Sequence, residues 1–177
     1  MLVINLFGAP GAGKSTGAAY IFSYLKMKGV NAELITEFAK DKTWEDNKMA
    51  LSNQAYVFGK QSYRMSRCAD KVDVLITDSP LFLSALYNQD EVLGEDFNKV
   101  VLNVFNSYEN INIFVNRNKT YNPIGRNQTE EESDNLSVSL KEILNKYNIN
   151  YTEHFGDEEN YQKIAAMIFA LLQKEES

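Results

Sequence analysis

The apolar run Leu2-Val3-Ile4-Asn5-Leu6-Phe7 leads directly into Gly8-Ala9-Pro10-Gly11-Ala12-Gly13-Lys14-Ser15, a G-x-x-x-x-G-K-[ST] pattern, and a helix-like segment follows. That order leaves few folds open. A strand that ends in a glycine-rich turn and enters a helix aims several backbone N–H groups, and the positive end of the helix dipole, at one small volume. A polyphosphate fits that volume. Gly8, Gly11 and Gly13 let the backbone close around the phosphates, Lys14 reaches the β and γ phosphates, and the Ser15 hydroxyl can ligate magnesium. With Ala9, Pro10, Ala12 and Thr16, these residues form the expected nucleotide-binding segment, and the chain is expected to bind ATP or GTP.

The rest of the chain alternates strand and helix patterns. Ala18, Ile21, Phe22 and Leu25 form one apolar helical face that Gly29 is placed to end. Val30 to Thr36 alternates as a strand, residues 37–53 read as a polar loop with a short helix, and a helical pattern returns from Gln54 to Asp70. Val72 to Thr77 is a buried-strand run bounded by Asp78-Ser79-Pro80. A helix over about 94–109 has Phe97, Val100, Val101, Val104, Phe105 and Tyr108 on its inner face, and Ile111 to Val115 is a strand. Thr129 with Glu132 is a capping-box pattern ahead of a helix facing inward with Leu136, Leu140, Ile143, Leu144 and Tyr147. A strand over Asn150 to Phe155 and a helix through Ile164, Ile168 and Leu171 end the order. Parallel strands need crossovers that cover them, so the pattern predicts an α/β fold with a parallel sheet of about five strands between helical layers.

A length of 177 residues fits one domain spanning 1–177. Its 44% hydrophobic and 24% charged residues belong to an ordinary globular chain. No stretch reaches about 18 consecutive apolar residues, and the first residues have a buried-strand pattern without a secretory signal, so a cytoplasmic protein with no membrane partner is expected. The single cysteine, Cys68, suits a reducing compartment and a helix-packing role. A net charge of −6 argues against broad nucleic-acid adhesion, which needs Lys and Arg to neutralise phosphates, while leaving room for a local basic cleft. The acidic clusters Glu130-Glu131-Glu132 and Asp157-Glu158-Glu159 fall at expected helix starts, where negative charge suits the dipole.

Ligands of such sheets sit at the carboxyl ends of the strands, so the phosphate loop, Glu37, Asp78 and Arg117 are expected along one edge. Asp78 ends the run Val74-Leu75-Ile76-Thr77-Asp78 and is placed to hold magnesium with Ser15; it is equally placed to cap the next helix, with Pro80 in an early position. Glu37 follows the second strand, where a carboxylate can orient an acceptor hydroxyl and take its proton. Phosphoryl transfer needs cations that close over the nucleotide, and Arg117 and Arg126 flank a polar segment at about 117–128 that suits a lid, with Gly125 letting it fold. Lys60, Arg64 and Arg67 share a helical face that is either an anion site or a solvated surface. Phe38, Trp44, Tyr56 and Phe58 lie where an acceptor could stack, although core packing explains each of them as well. A GTPase reading fails because Asn118-Lys119-Thr120-Tyr121 lacks the aspartate of the N-K-x-D base-reading element.

Gly8 to Thr16, Glu37-Phe38-Ala39-Lys40, Thr77-Asp78-Ser79-Pro80, and Arg117 with Tyr121-Asn122-Pro123-Ile124-Gly125-Arg126 together resemble the small P-loop kinases of bacteriophage genomes. These are similar to the ribosylnicotinamide kinase domain of bifunctional NAD-biosynthesis regulators and, more distantly, to thymidylate kinases. The likeness spans nearly the whole chain. It implies a P-loop NTPase fold of the nucleoside-monophosphate-kinase type, ATP with Mg2+, and transfer of the γ-phosphate to a hydroxyl of a nucleoside, nucleotide or modified base. Within phages such kinases include enzymes acting on 5-hydroxymethyluracil in DNA, a leading acceptor candidate beside free nucleosides, nucleotides or nicotinamide riboside. Here Asp78 is followed by Ser79, where thymidylate kinases carry an Asp-Arg pair. A P-loop ATPase acting with a partner is the competing expectation, and a homodimer is left open.

Overall fold

In the computed structural model, residues 1–124 and 128–175 are described. Strand β1 (Leu2–Phe7) runs into the phosphate loop and helix α1 (Lys14–Met27), followed by β2 (Ala32–Ile35). Three helices come next, α2 (Phe38–Trp44), α3 (Lys48–Ser52) and α4 (Gln54–Ser66), and then β3 (Val74–Thr77). Helices α5 (Leu83–Tyr87) and α6 (Gly94–Asn106) lead to β4 (Glu109–Asn116), and α7 (Glu130–Lys146), β5 (Thr152–Phe155) and α8 (Glu158–Glu175) complete the order. The five strands form one parallel sheet in the order β2-β3-β1-β4-β5. No helix among the described residues is long and apolar enough to cross a membrane.

Alternation along β1 assigns the two faces of the sheet. Leu2, Ile4 and Leu6 join Ala18, Ile21 and Leu25 of α1 and Ile164, Ala165 and Ile168 of α8 in one core. Val3 and Phe7 join Phe58 and Met65 of α4, Phe97, Val101 and Phe105 of α6, and Leu140 and Leu144 of α7 in the other. Each aliphatic or aromatic side chain removed from water in this way contributes about 1.5–3 kcal/mol before entropy is counted. The chain leaves β1 over one face towards β2 and leaves β3 and β4 over the other. The ends of β1, β3 and β4 therefore border the crevice where helices part to opposite sides, and the phosphate loop sits in it.

Several element boundaries differ from the sequence expectation. Strand β2 pairs only over Ala32–Ile35, and β3 begins at Val74 because Val72 and Asp73 precede the ladder. The segment 37–53 holds two helices: Asn47 caps α3 by accepting the Ala50 N–H, an Asx signal concealed among polar residues. Asp78 caps no helix, since α5 starts five residues later with Phe82 at its N-cap position and Pro80 lies in the intervening turn. Val100 and Leu171, expected inside, are 51% and 40% exposed, at the margins of the apolar stripes of α6 and α8. The Thr129–Glu132 capping box is present with both reciprocal bonds, and Glu130, Glu131 and Glu132 fill the first turn of α7.

Candidate active site

The phosphate loop is braced from three sides. Gly13, at the N-cap of α1, has φ 104°, a left-handed conformation that glycine adopts without strain. Its carbonyl accepts a hydrogen bond of 2.9 Å from the Tyr161 hydroxyl of α8. Burial, with the Asp157 charge nearby, pushes that phenol up to about 12, so it stays a donor throughout the physiological range. The Ser133 hydroxyl of α7 donates to the Pro10 carbonyl at 2.7 Å. From the β5–α8 turn, the Gly156 backbone approaches the loop so closely that a Cβ there would overlap the Ala12 carbonyl oxygen. The Lys14 ammonium lies across the loop, donating to the Gly8 and Ala9 carbonyls at 2.8 and 3.1 Å.

A cleft of about 430 Å³ opens from this loop, within the usual size of a small-ligand site. Its floor comprises Gly8, Pro10, Gly11, Gly13, Lys14, Ser15 and Thr16, and it continues without interruption to Glu37, Lys40, Thr43, Trp44, Leu51, Gln54 and Tyr87. Lys119 and Gln128 border it from the β4–α7 segment. Glu37 lines the same cleft, close enough to Lys14 and Asp78 to feel both charges. Desolvation raises its carboxyl above the ordinary carboxylate range, the neighbouring Lys14 charge opposes that shift, and Asp78 adds to it. Tyr87 lines the same cleft: desolvation and then the Glu37 charge push its phenol up to about 12.

Asp78 follows Thr77, whose partner in β1 is Asn5, so it stands level with Leu6 at the foot of the phosphate loop. It is only 4% exposed, and its buried Oδ1 has no hydrogen-bond partner. A buried carboxylate oxygen without a donor is costly unless a cation completes it. Asp78 at the foot of the phosphate loop and the Ser15 hydroxyl on the cleft lining are the kinds of oxygen donor that suit magnesium, which is ordinarily held by one or two carboxylates together with substrate phosphates. Among the described residues no group of three or more His, Cys, Asp or Glu side chains could hold a metal ion alone.

Lys14, Ser15, Glu37 and Asp78 are expected together; the fold brings Lys14, Ser15 and Glu37 onto the cleft lining, while Asp78 is buried beneath it, near enough to Glu37 to act on its charge. Arg117 stands at the same sheet edge but faces elsewhere: its guanidinium pairs with Glu130 at 3.0 Å and with Asp134, both of α7, and lies over the Tyr121 ring. It therefore ties the β4–α7 segment to α7 and does not line the cleft. Arg126 lies outside the described residues. Arg64 also turns inward, bonding Asp41 at 2.5 Å and the Thr36 carbonyl at 3.1 Å, which separates it from Lys60 and Arg67. Of the four aromatics, Phe38 and Phe58 are core, Tyr56 stacks edge-on against Phe38, and Trp44 is 63% exposed on the cleft wall. Tyr87, Lys119, Ser133 and Tyr161 were missed, because long-range placement alone gives them their roles.

The comparisons with known proteins agree with this architecture. The chain superposes on a deoxyadenosine kinase from M. mycoides solved with bound dATP, at 19% identity and TM-score 0.58, covering 97% of this chain and 99% of that one. It also superposes on a shikimate kinase from Bacteroides thetaiotaomicron, at 14% identity and TM-score 0.51, covering 97% and 98%. No curated protein matches the sequence. The fold is thus the α/β P-loop NTPase fold that those two kinases share. Residues 3–160 match the family described as AAA domain, which is nearly the whole chain, and the protein belongs to that family.

Proposed function

We propose that the protein is an ATP-dependent phosphotransferase that moves the γ-phosphate to a hydroxyl of a nucleoside-type acceptor. One observation carries this reading: the phosphate loop, Glu37 and the residues of α2–α4 line a single cleft. An ATPase needs room for water there, whereas this cleft accommodates an organic acceptor walled by Trp44, Leu51, Gln54 and Tyr87. The two kinases with this fold, whose names describe small-molecule substrates, support the same reading.

ATP binds with its phosphates against the N–H groups of Gly11 to Ser15, while the Lys14 ammonium exchanges the Gly8 and Ala9 carbonyls for phosphate oxygens. Asp78 and Ser15 would hold magnesium, which neutralises charge on the β and γ phosphates when bound. Glu37 accepts the proton of the acceptor hydroxyl as its oxygen forms the new bond to the γ-phosphorus and the bridging bond to ADP breaks. A carboxylate whose affinity for protons is raised by desolvation is a better base than an ordinary one, and the Lys14 charge opposes that rise. Arg117 and Arg126 supply cations only if the β4–α7 segment closes over the nucleotide, which for Arg117 means leaving Glu130 and Asp134.

A free nucleoside or nucleotide suits the cleft volume and the net charge of −6. A 5-hydroxymethyluracil base flipped out of DNA offers the same kind of hydroxyl. It is favoured by the local excess of cations between Phe38 and Arg67, where Lys40, Lys42, Lys48, Lys60, Arg64 and Arg67 outnumber Asp41, Glu45 and Asp46. Incubation with ATP and magnesium against a panel of nucleosides, nucleotides, nicotinamide riboside and hydroxymethyluracil-containing DNA, read by mass spectrometry, separates them. A gain of one phosphate on a free panel member is expected. Phosphate on the DNA alone would transfer the acceptor assignment to the base, and ATP turnover with no phosphorylated acceptor would overturn the kinase reading in favour of an ATPase.

A further inference from the structure

One buried side chain joins the two turns that carry the candidate base and the candidate metal ligand. Gln61 projects from α4 and is 3% exposed. Its Oε1 accepts the Phe38 N–H at 2.9 Å, while its Nε2 donates to the Thr36 carbonyl at 3.4 Å and to the Ser79 carbonyl at 3.3 Å. The Phe38 N–H can only donate, which fixes the amide with its oxygen towards that turn. Thr36 and Phe38 flank Glu37, and Ser79 follows Asp78. The Asp78–Ser79 turn is held from its other side by the Ser79 N–H, which donates to Thr77 Oγ1 at 3.1 Å. Among the described residues the β2–β3 ladder ends at the pair Ile35 with Thr77, just before the two turns.

We infer that Gln61 is a positioning residue that sets the Glu37 turn and the Asp78 turn at a fixed separation, so that the oxygen donor for magnesium and the proton acceptor are held by one amide. The inference rests on the assignment of Asp78 and Glu37 proposed above. Its basis is chemical economy: a buried amide pairs the Phe38 N–H and the Ser79 carbonyl, which lie past the ladder, and shares the Thr36 carbonyl with Arg64, and no apolar side chain of that length does so. Groups bonded directly to a metal ligand cost about 10–100-fold in metal affinity when removed; Gln61 acts one step further back, through the Ser79 carbonyl, so the low end of that range is expected.

The test uses equilibrium binding of ATP to the full chain, with magnesium or with EDTA, in wild type, Gln61→Met, Asp78→Asn and the double variant, with thermal melting recorded for each. The measured quantity is the ratio of the two ATP affinities, which a purely structural loss does not change selectively. Gln61→Met is expected to lower the magnesium-dependent gain about tenfold, leaving metal-free ATP binding within about twofold, and to have no further effect on the ratio once Asp78→Asn is present. An unchanged ratio in Gln61→Met, with Asp78→Asn reducing it, would overturn the positioning role alone. An unchanged ratio in Asp78→Asn would overturn the metal assignment and the inference with it. Additive effects in the double variant would show that Gln61 acts through something other than Asp78 and would also overturn it. Gln61→Asn, one methylene too short to span both turns, replaces the methionine variant if that one does not fold, with the same expected outcomes.

Discussion

At the scale of single residues the proposed transfer rests on Lys14 and Glu37, and each has a separate signature. The Lys14 ammonium lines the cleft and bonds the Gly8 and Ala9 carbonyls of its own loop, and it belongs to neither apolar core. Lys14→Ala is expected to abolish phosphoryl transfer, with a melting temperature within a few degrees of wild type; full retained transfer would remove its role. For Glu37 the sign follows from the raised carboxyl. Between the unperturbed value of 4.5 and the higher folded-state value, the folded chain binds more protons than the unfolded chain, so stability falls as pH rises through that window and then levels off. Glu37→Gln is therefore expected to melt higher than wild type at neutral pH and to lose that advantage below the ordinary carboxylate range, while transfer is lost at every pH. A lower melting temperature at neutral pH would show that the Lys14 attraction outweighs desolvation. Transfer by the wild type should rise with pH through the raised carboxyl, as a base requires.

The phosphate loop performs as an element only because others press on it. Gly156 lets the β5–α8 turn touch the Ala12 carbonyl, and neither side can yield by moving a flexible side chain, since both are backbone. Gly156→Ala is expected to cost about 1–3 kcal/mol, as overpacking does, with a fall of roughly 2–4 °C in melting temperature per kcal/mol at this chain length. ATP affinity should fall with it, and unchanged binding would mean that the loop does not feel the turn. How far the sequence exposed the site follows the same division. Lys14, Ser15 and Asp78 announce themselves through spacing from a strand end, and the Thr129–Glu132 capping box through local bonding. One short helix was expected over 37–53 and there are two, because such short polar helices owe their existence to the Asn47 cap and to the burial of Phe38, not to a long apolar stripe. Arg117 was legible as a cation at the right edge. Its partners Glu130 and Asp134 look like ordinary dipole-complementing acids at a helix start, and only the folded chain brings the three together.

For the molecule as a whole, the sheet order β2-β3-β1-β4-β5 places β1 between β3 and β4, which brings the Gly8 loop, the Asp78 turn and the β4 end to one crevice. Helices α2–α4 then form the far wall of the cleft. A donor half and an acceptor half joined in this way should couple ATP cleavage to the presence of an acceptor. The most direct measurement is the ratio of ADP formed to acceptor phosphorylated, followed over time with γ-labelled ATP in wild type and Lys14→Ala, with and without the panel member that gains phosphate. ADP formation that rises at least about tenfold on adding the acceptor, matches label in the acceptor one for one and disappears in Lys14→Ala is the expected result. ADP formation at the same rate with and without any hydroxyl acceptor, and with no label outside inorganic phosphate, would contradict it.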